Sequence, residues 1–195
     1  MRLLIRRLNF HLKELVYRNI EGKRVLFLFV LTNLVYVFML QVTIPQVLRF
    51  SGGMKIFDLM PMGYEPAYAA TLLEKLGTEG RNAYLYHQIP VDLIYPFLFG
   101  ITYWLLLAYL LNRLNRLNAE YFYLCILPLL AGLFDYFENF GIIHLLVSYP
   151  DHSVTAIQLT AFFTVFKSLL STITFTILLV LLLIVGFKKI FHLKK

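Results

Sequence analysis

Four long apolar stretches constrain this 195-residue chain more than any other feature. Residues 25–48 and 93–111 contain no charged side chain, and residues 121–149 and 153–187 contain very few. A stretch of about 20 apolar residues crosses the roughly 30 Å hydrocarbon core of a bilayer as a helix. At 59% hydrophobic residues, the chain is also too apolar for one soluble domain. We therefore predict an all-α integral membrane four-helix bundle that forms a single membrane domain over residues 1–195.

The predicted segments follow directly from these stretches and from the residues that flank them. The first 22 residues carry leucines at helical spacing with Arg and Lys between them, which predicts a basic amphipathic helix on the membrane interface. We expect this helix to anchor the chain, and partner binding is the alternative. The remaining predicted segments are crossings at 25–48, 91–111, 121–149 and 153–187, an external helical loop at 49–89, and a basic tail at 188–195.

The distribution of Lys and Arg predicts the orientation of the crossings. Thirteen of these residues lie in the N-terminal segment, in the turn between the second and third crossings, and in the tail. The external loop has four, and the short loop before the fourth crossing has none. Basic flanks are retained in the cytoplasm. We expect a multi-pass cell-membrane protein with both termini cytoplasmic, in a bacterial inner membrane, although an organelle membrane fits the same pattern.

The external loop is patterned like folded chain rather than like a linker. Pro66 is suited to the first turn of a helix, and Gly77 is suited to a helix end. A second short helix is expected to follow Gly77 and to end at Pro90. We predict that both helices lie on the outer mouth of the bundle.

Several functional classes find little support in the sequence. The net charge of +7 is explained by topology and by attraction to anionic lipids, so we expect membrane lipids as partners and no nucleic acid. The single Cys125 excludes an intrachain disulfide. His87, His144 and His152 lack the spacing typical of metal ligands, so no metal site is predicted. The sequence does not indicate any cofactor.

The third apolar stretch contains the motif that carries the functional hypothesis. Asp135, Glu138 and Asn139 stand at i, i+3 and i+4, so they share one helix face. A charged side chain inside a bilayer costs several kcal/mol, at about 2.5–3.5 kcal/mol on insertion scales, and such residues mark functional sites. Helix pairing through buried polar contacts is the structural alternative. We expect this face to point into the bundle.

Other polar residues are expected to complete a site around this face. Lys167 in the fourth crossing is the expected cation, because two adjacent buried carboxylates need one unless they keep a proton. We expect Asp92 to join from the outer end of the second crossing and Arg81 to close a lid. Asn33 and Tyr136 are the expected hydrogen-bonding groups. These eight residues form the predicted ligand-binding site, and catalytic residues are left open.

Three classes of function fit these residues. The first is a chamber open to the outer side that binds or transports a small amphiphile, a lipid or a cation, with proton coupling and with a homo-oligomer completing any pathway. The second is an intramembrane isomerase or proton-transfer enzyme that acts on a lipid or isoprenoid, with the two carboxylates as acid and base. The third is a structural subunit of a membrane complex.

Overall fold

A computed structural model describes residues 20–117, 119–151 and 153–192. Most of the predicted amphipathic helix, residues 1–19, lies outside this part of the chain, as does the end of the predicted basic tail. The described residues form helices and loops and contain no strand. The helices are α1 (Gly22–Phe38), α2 (Ile44–Leu48), α3 (Pro66–Ala83), α4 (Ile89–Arg113), α5 (Ala119–Phe122), α6 (Leu127–Val147) and α7 (Val154–His192).

Four continuous helical segments are long and apolar enough to cross a membrane. They are Gly22–Leu48, Pro66–Arg113, Tyr123–Val147 and Val154–Ile190. The prediction of an all-α chain with four helices of this kind is confirmed. Two of them, the first and the last, have few buried residues, because their apolar side chains face outward along much of their length.

Prolines distort these helices without ending them. Two π-helical turns and one 3₁₀ turn directly precede Pro45, Pro90 and Pro128. These turns are Met39–Thr43, Tyr84–Gln88 and Tyr123–Ile126. Proline has no N–H and clashes with the preceding turn, so a local change of helical pitch lets the helix continue. The prediction that the second loop helix ends at Pro90 is therefore wrong, because the chain stays helical through this residue, whereas the first long helix ends at Leu48, the predicted end of the first crossing.

The helix of the external loop is interrupted at Gly77. Its φ of 59° and ψ of −174° fall outside the helical region that its neighbours in α3 occupy. A side chain disfavours positive φ, so glycine suits this position. The helix resumes after Gly77 and runs directly into α4. The first predicted loop helix thus begins at Pro66 as expected, whereas the second is the N-terminal extension of the second long helix.

Helix α6 organises the bundle. It packs against α4 and α7, and α1 packs against α4. Two glycines bring α6 close to its neighbours. A Cβ on Gly132 would lie 2.7 Å from the carbonyl oxygen of Pro96, and one on Gly141 would overlap the side chain of Thr160. Both positions therefore require a residue without a side chain.

A polar layer separates two apolar cores in the bundle. One core includes Leu107, Cys125 and Leu178, and the other includes Phe57, Ile142 and Ile157. Along α4, α6 and α7, buried polar residues stand between the positions that belong to each core. The buried polar residues of these three helices at this level are Asp92, Asp135, Glu138, Asn139, Thr160 and Thr164. The fold thus brings the unusual residues of the third apolar stretch to a single level.

Candidate functional site

A three-residue ion pair lies at the centre of the polar layer. The Nζ atom of Lys167 is 2.8 Å from Oδ1 of Asp135 and also forms an ion pair with Oε2 of Glu138. Asp135 and Glu138 stand one helical turn apart on α6, and Lys167 approaches from α7. Glu138 is fully buried, whereas 17% of the Lys167 side chain is exposed. One ammonium group thus bridges the two carboxylates that the sequence places on one face.

Further hydrogen bonds attach α6 to its neighbours at the same level. The hydroxyl of Thr164 donates to Oε1 of Glu138 at 2.8 Å. The amide of Asn139 donates to the backbone carbonyl of Asp92, also at 2.8 Å. The hydroxyl of Tyr136 donates to the backbone carbonyl of Leu93 at 2.8 Å. Asn139 and Tyr136 therefore position α4 against α6.

Asp58, from the external loop, is the acidic residue of this layer that the sequence reasoning missed. Its carboxylate accepts hydrogen bonds from the hydroxyl of Tyr84 and from Nε2 of Gln88, the latter at 3.2 Å. Gln88 in turn accepts a hydrogen bond from Thr43. Gln88 stands one helical turn before Asp92 in the same continuous helical segment. Asp58 and Asp92 therefore add two carboxyl groups near the ion pair of Lys167 with Asp135 and Glu138.

Four buried polar atoms in this region have no hydrogen-bond partner among the described residues. They are Oδ2 of Asp92, Oδ1 of Asn139, the hydroxyl oxygen of Tyr64, and Oε2 of Glu138, which has only its ion pair with Lys167. Burial raises the pKa of Tyr64 above its usual range, and the nearby Glu138 carboxylate acts in the same direction. The Tyr64 hydroxyl therefore keeps its proton. A buried polar atom without a partner is costly, at about 1–3 kcal/mol, and calls for a functional explanation.

A cavity of about 330 Å³ opens beside the ion pair. Asp135, Lys167, Ser168, Ser171 and Asn33 supply its polar wall. The rest of the wall is largely aromatic, and these residues are Tyr36, Tyr95, Phe99, Tyr103 and Phe175, together with Ala131. We call this cavity the outer pocket. Its volume lies at the small end of the range of about 300–1,000 Å³ that is typical of small-molecule sites.

The aromatic side chains that line the outer pocket pack against one another. Tyr36 stacks on Tyr95 with ring centroids 5.5 Å apart. Phe99 and Tyr103 lie 4.6 Å apart, and Phe175 presents its edge to both. These contacts join α1, α4 and α7 around the cavity. Offset and edge-to-face arrangements are the favourable ones for aromatic rings, so the wall is preformed.

The predicted site residues have different positions in the structure. Asp135 and Lys167 line the outer pocket, and Asn33 lines it from α1 while donating to the carbonyl of Phe29. Glu138, Asn139 and Asp92 lie in the polar layer. Tyr136 connects α6 to α4 through its hydrogen bond to the carbonyl of Leu93. The structure thus brings seven of the eight predicted residues to one region.

Arg81 does not form the predicted lid. Its guanidinium donates to the backbone carbonyl of Leu73 at 2.9 Å and lies over the ring of Tyr149 at 4.0 Å. None of its described contacts is with a carboxylate of the polar layer. The break at Gly77 explains this position, because it turns Arg81 back toward the end of the first loop helix. Arg81 therefore fastens the loop to the end of α6.

No metal centre is evident in the described part of the chain. No group of three or more His, Cys, Asp or Glu side chains within it is placed to hold a metal ion. His87 and His144 are exposed, and His152 lies outside the described residues.

Comparison with protein-family models, with curated proteins and with solved structures found no match for this chain.

Proposed function

We propose that the chain is an integral membrane protein that crosses a bacterial inner membrane four times, with both termini in the cytoplasm. Two observations support this proposal. Apolar side chains cover the outward faces of α1 and α7, and examples are Phe27 at 67% and Leu179 at 59% exposure. Exposed apolar faces of this extent are typical of surfaces in contact with lipid or protein. Basic residues collect at the ends of the helices that we assign to the cytoplasm.

The spacing of charged residues along the parallel helices α4 and α7 supports a particular depth of the polar layer in the proposed bilayer. Asp92 precedes Arg113 by 21 residues in α4, and Lys167 precedes Lys188 by 21 residues in α7. Each interval is about 31 Å at 1.5 Å per residue, close to the roughly 30 Å of a hydrocarbon core. With Arg113 and Lys188 at the cytoplasmic boundary, the polar layer lies at the outer boundary. The outer pocket then extends from this boundary into the outer leaflet.

The function that the geometry supports best is the binding of a small amphiphile in the outer pocket. One observation carries this proposal: a single cavity has an ion pair at one end and aromatic rings along the rest. The polar head of the amphiphile contacts Asp135 and Lys167, and the apolar part lies among Tyr95, Phe99 and Phe175. This arrangement parallels the orientation of an outer-leaflet lipid. The charged side chains that line the pocket, Asp135 and Lys167, lie at one end of it, so the geometry favours binding over passage.

The charge of the layer favours a cationic head. Asp135 and Glu138 pair with the single ammonium of Lys167, and Asp58 and Asp92 add two further carboxyl groups nearby. Unless several of them keep protons, the region is negative, and an ammonium head gains from this field while a carboxylate head loses. Aromatic rings in the wall add cation–π attraction. We therefore propose a primary or substituted amine as the head of the preferred ligand.

Binding of three amphiphiles with the same alkyl chain tests the proposal. Dodecylamine, dodecanol and dodecanoate are titrated against the purified full-length protein, and occupancy is measured by native mass spectrometry. We expect dodecylamine to bind about tenfold more tightly than dodecanol, and dodecanoate to bind weakest. Asp135→Asn should reduce the preference for the amine, because it removes the carboxylate that lines the pocket.

Two tryptophan variants distinguish a protein whose pocket is filled from a protein that has failed to fold. Ser171→Trp fills the outer pocket, whereas Thr172→Trp places the same ring on an exposed neighbour that does not line it. We expect the first variant to lose dodecylamine binding and the second to keep it. Equal binding by both variants, or equal binding of all three amphiphiles by the wild type, would contradict the proposed site.

Labelling of single cysteines tests the orientation separately. In a Cys125→Ser background, cysteines replace Met62 in the external loop and Lys189 after the last crossing. Both positions are exposed. We expect an impermeant maleimide added to intact cells to label position 62, and to label position 189 only after lysis. Labelling of position 189 in intact cells would overturn the orientation.

A further inference from the structure

An apolar groove of about 490 Å³ lies at the other end of the bundle. It lies between α7, from Thr176 to Lys188, and the corner of the chain from Leu111 to Leu124. We call it the inner groove. Its wall is mainly aliphatic, and its charged members are Arg116 and Lys188. Among the residues that the structure describes, no Asp or Glu lines it, in contrast with the polar layer.

The basic residues of the inner groove are available to a ligand. Arg116 and Lys188 are exposed, and neither forms an ion pair with a described residue. Asn115 adopts a positive φ of 57°, and the backbone N–H of Arg116 donates to the carbonyl of Leu111 at 2.8 Å. This turn holds Arg116 at the mouth of the groove. Two exposed cations, neither of them in an ion pair with a described residue, thus stand where the aliphatic wall ends.

The length of the groove matches one leaflet. Thr176 and Lys188 are 12 residues apart in α7, which corresponds to about 18 Å along the helix. Half of a hydrocarbon core is about 15 Å. With Lys188 at the cytoplasmic boundary, the groove begins at the headgroup level and ends near the middle of the bilayer. An acyl chain of an inner-leaflet lipid has this length and this orientation.

We propose that the inner groove binds one anionic phospholipid of the cytoplasmic leaflet, with its phosphate between Arg116 and Lys188 and one acyl chain against Ile177 and Leu181. The charge at the mouth selects an anionic headgroup, and the aliphatic wall excludes free phosphate as the main ligand. Basic pockets between helices on the cytoplasmic side are suited to anionic lipids. The inference rests on the proposed membrane orientation, but it does not depend on the outer pocket.

Native mass spectrometry with two lipids of the same acyl chains tests this proposal on the full-length protein. Phosphatidylglycerol is the anionic probe and phosphatidylcholine is the zwitterionic control. We expect the wild type to retain one phosphatidylglycerol at energies that remove phosphatidylcholine. Arg116→Gln/Lys188→Gln should weaken this binding by about thirtyfold, since each basic group contributes about fivefold near a lipid headgroup.

A charge-matched variant provides the control. Arg113→Gln/Lys189→Gln removes the same charge from residues that do not line the groove, so general attraction to anionic lipid falls equally. We expect this variant to bind phosphatidylglycerol within about threefold of the wild type. An equal loss in both double variants would overturn the site and leave only nonspecific attraction. Equal retention of both lipids by the wild type would also overturn it.

Two tryptophan variants test the aliphatic wall of the inner groove. They provide a second test of the site in case the charge variant misfolds. Val180→Trp fills the groove, whereas Leu179→Trp adds the same ring to an exposed face outside it. We expect only Val180→Trp to lose the lipid. Binding of inorganic phosphate as tightly as phosphatidylglycerol would contradict a role for the wall. Asp135→Asn should leave this lipid in place, which separates failure here from failure of the outer pocket.

Discussion

The outer pocket and the inner groove hold charged side chains in two different ways within one helical bundle. The outer pocket adjoins a layer in which Lys167 is paired with Asp135 and Glu138 and is 17% exposed. The inner groove carries Arg116 and Lys188 with no described ion pair. The first arrangement is interior and pre-organised, and the second is exposed and open to a partner.

This difference determines which charges hold the fold and which are free for a ligand. Removing one partner of a buried ion pair strands the other charges, which is far more costly than removing an exposed charge. The outer charges should therefore affect both stability and binding. The inner charges should affect binding alone. Each of the following predictions compares an outer change with a matched inner or exposed one.

The largest expected change in the free energy of unfolding is for substitution of Lys167, and Lys188 in the same helix provides the control. Lys167→Met leaves Asp135 and Glu138 without their cation, so we expect the free energy of unfolding to fall by about 3–5 kcal/mol. Lys188→Met removes an exposed charge and should change it by less than about 0.5 kcal/mol. Unfolding in mixed detergent, followed by circular dichroism, measures both. Equal losses would show that the ion pair does not stabilise the bundle.

Glycine substitutions compare tight and open helix packing. Gly141→Ala forces a methyl group onto Thr160, so we expect a loss of about 1–3 kcal/mol in the free energy of unfolding. Gly186→Ala meets no atom within 4 Å and improves helix propensity, so it should be neutral or stabilising by up to about 1 kcal/mol. The same unfolding assay applies. A neutral Gly141→Ala would mean that α6 and α7 are less closely packed than described.

Two threonine substitutions are expected to differ by a smaller amount in their effect on the free energy of unfolding. Thr164→Val removes the hydroxyl that donates to Glu138, so we expect a loss of about 1–2 kcal/mol. Thr172→Val removes an exposed hydroxyl that donates only to the carbonyl of Ser168 in its own helix, and should stay within about 0.5 kcal/mol. If the Thr164→Val loss disappears in a Glu138→Gln background, the two residues act through this bond. Equal losses in both backgrounds would assign the effect to packing.

Much of the architecture could be predicted from the sequence, because long apolar stretches have few other solutions. The face shared by Asp135, Glu138 and Asn139 follows from helical spacing, and Lys167 is the only charged residue within the fourth stretch. Their contact was therefore within reach of sequence reasoning. The effect of Pro90 was predicted wrongly, because a change of helical pitch is a local solution that sequence spacing does not reveal.

The contribution of the external loop could not be predicted in the same way. Asp58 reaches the polar layer through a non-helical segment, so no periodicity links it to Asp92 or Lys167. One signal was available: Ile56, Phe57 and Leu59 surround it with apolar side chains, which is unusual for a loop in water. Two of these neighbours, Ile56 and Phe57, are fully buried. Arg81 was misplaced for a related reason, because the direction of the chain after Gly77 depends on tertiary packing.

Photo-crosslinking in proteoliposomes tests most directly whether the two cavities select opposite head charges. Two probes share one alkyl chain with a photoreactive group at its middle, and one carries an amine head while the other carries a phosphate head. Peptide mass spectrometry then maps the labelled positions. We predict that the amine probe labels residues 95–103 and 168–175, and that the phosphate probe labels residues 111–124 and 176–188. Labelling of the same residues by both probes would contradict the account.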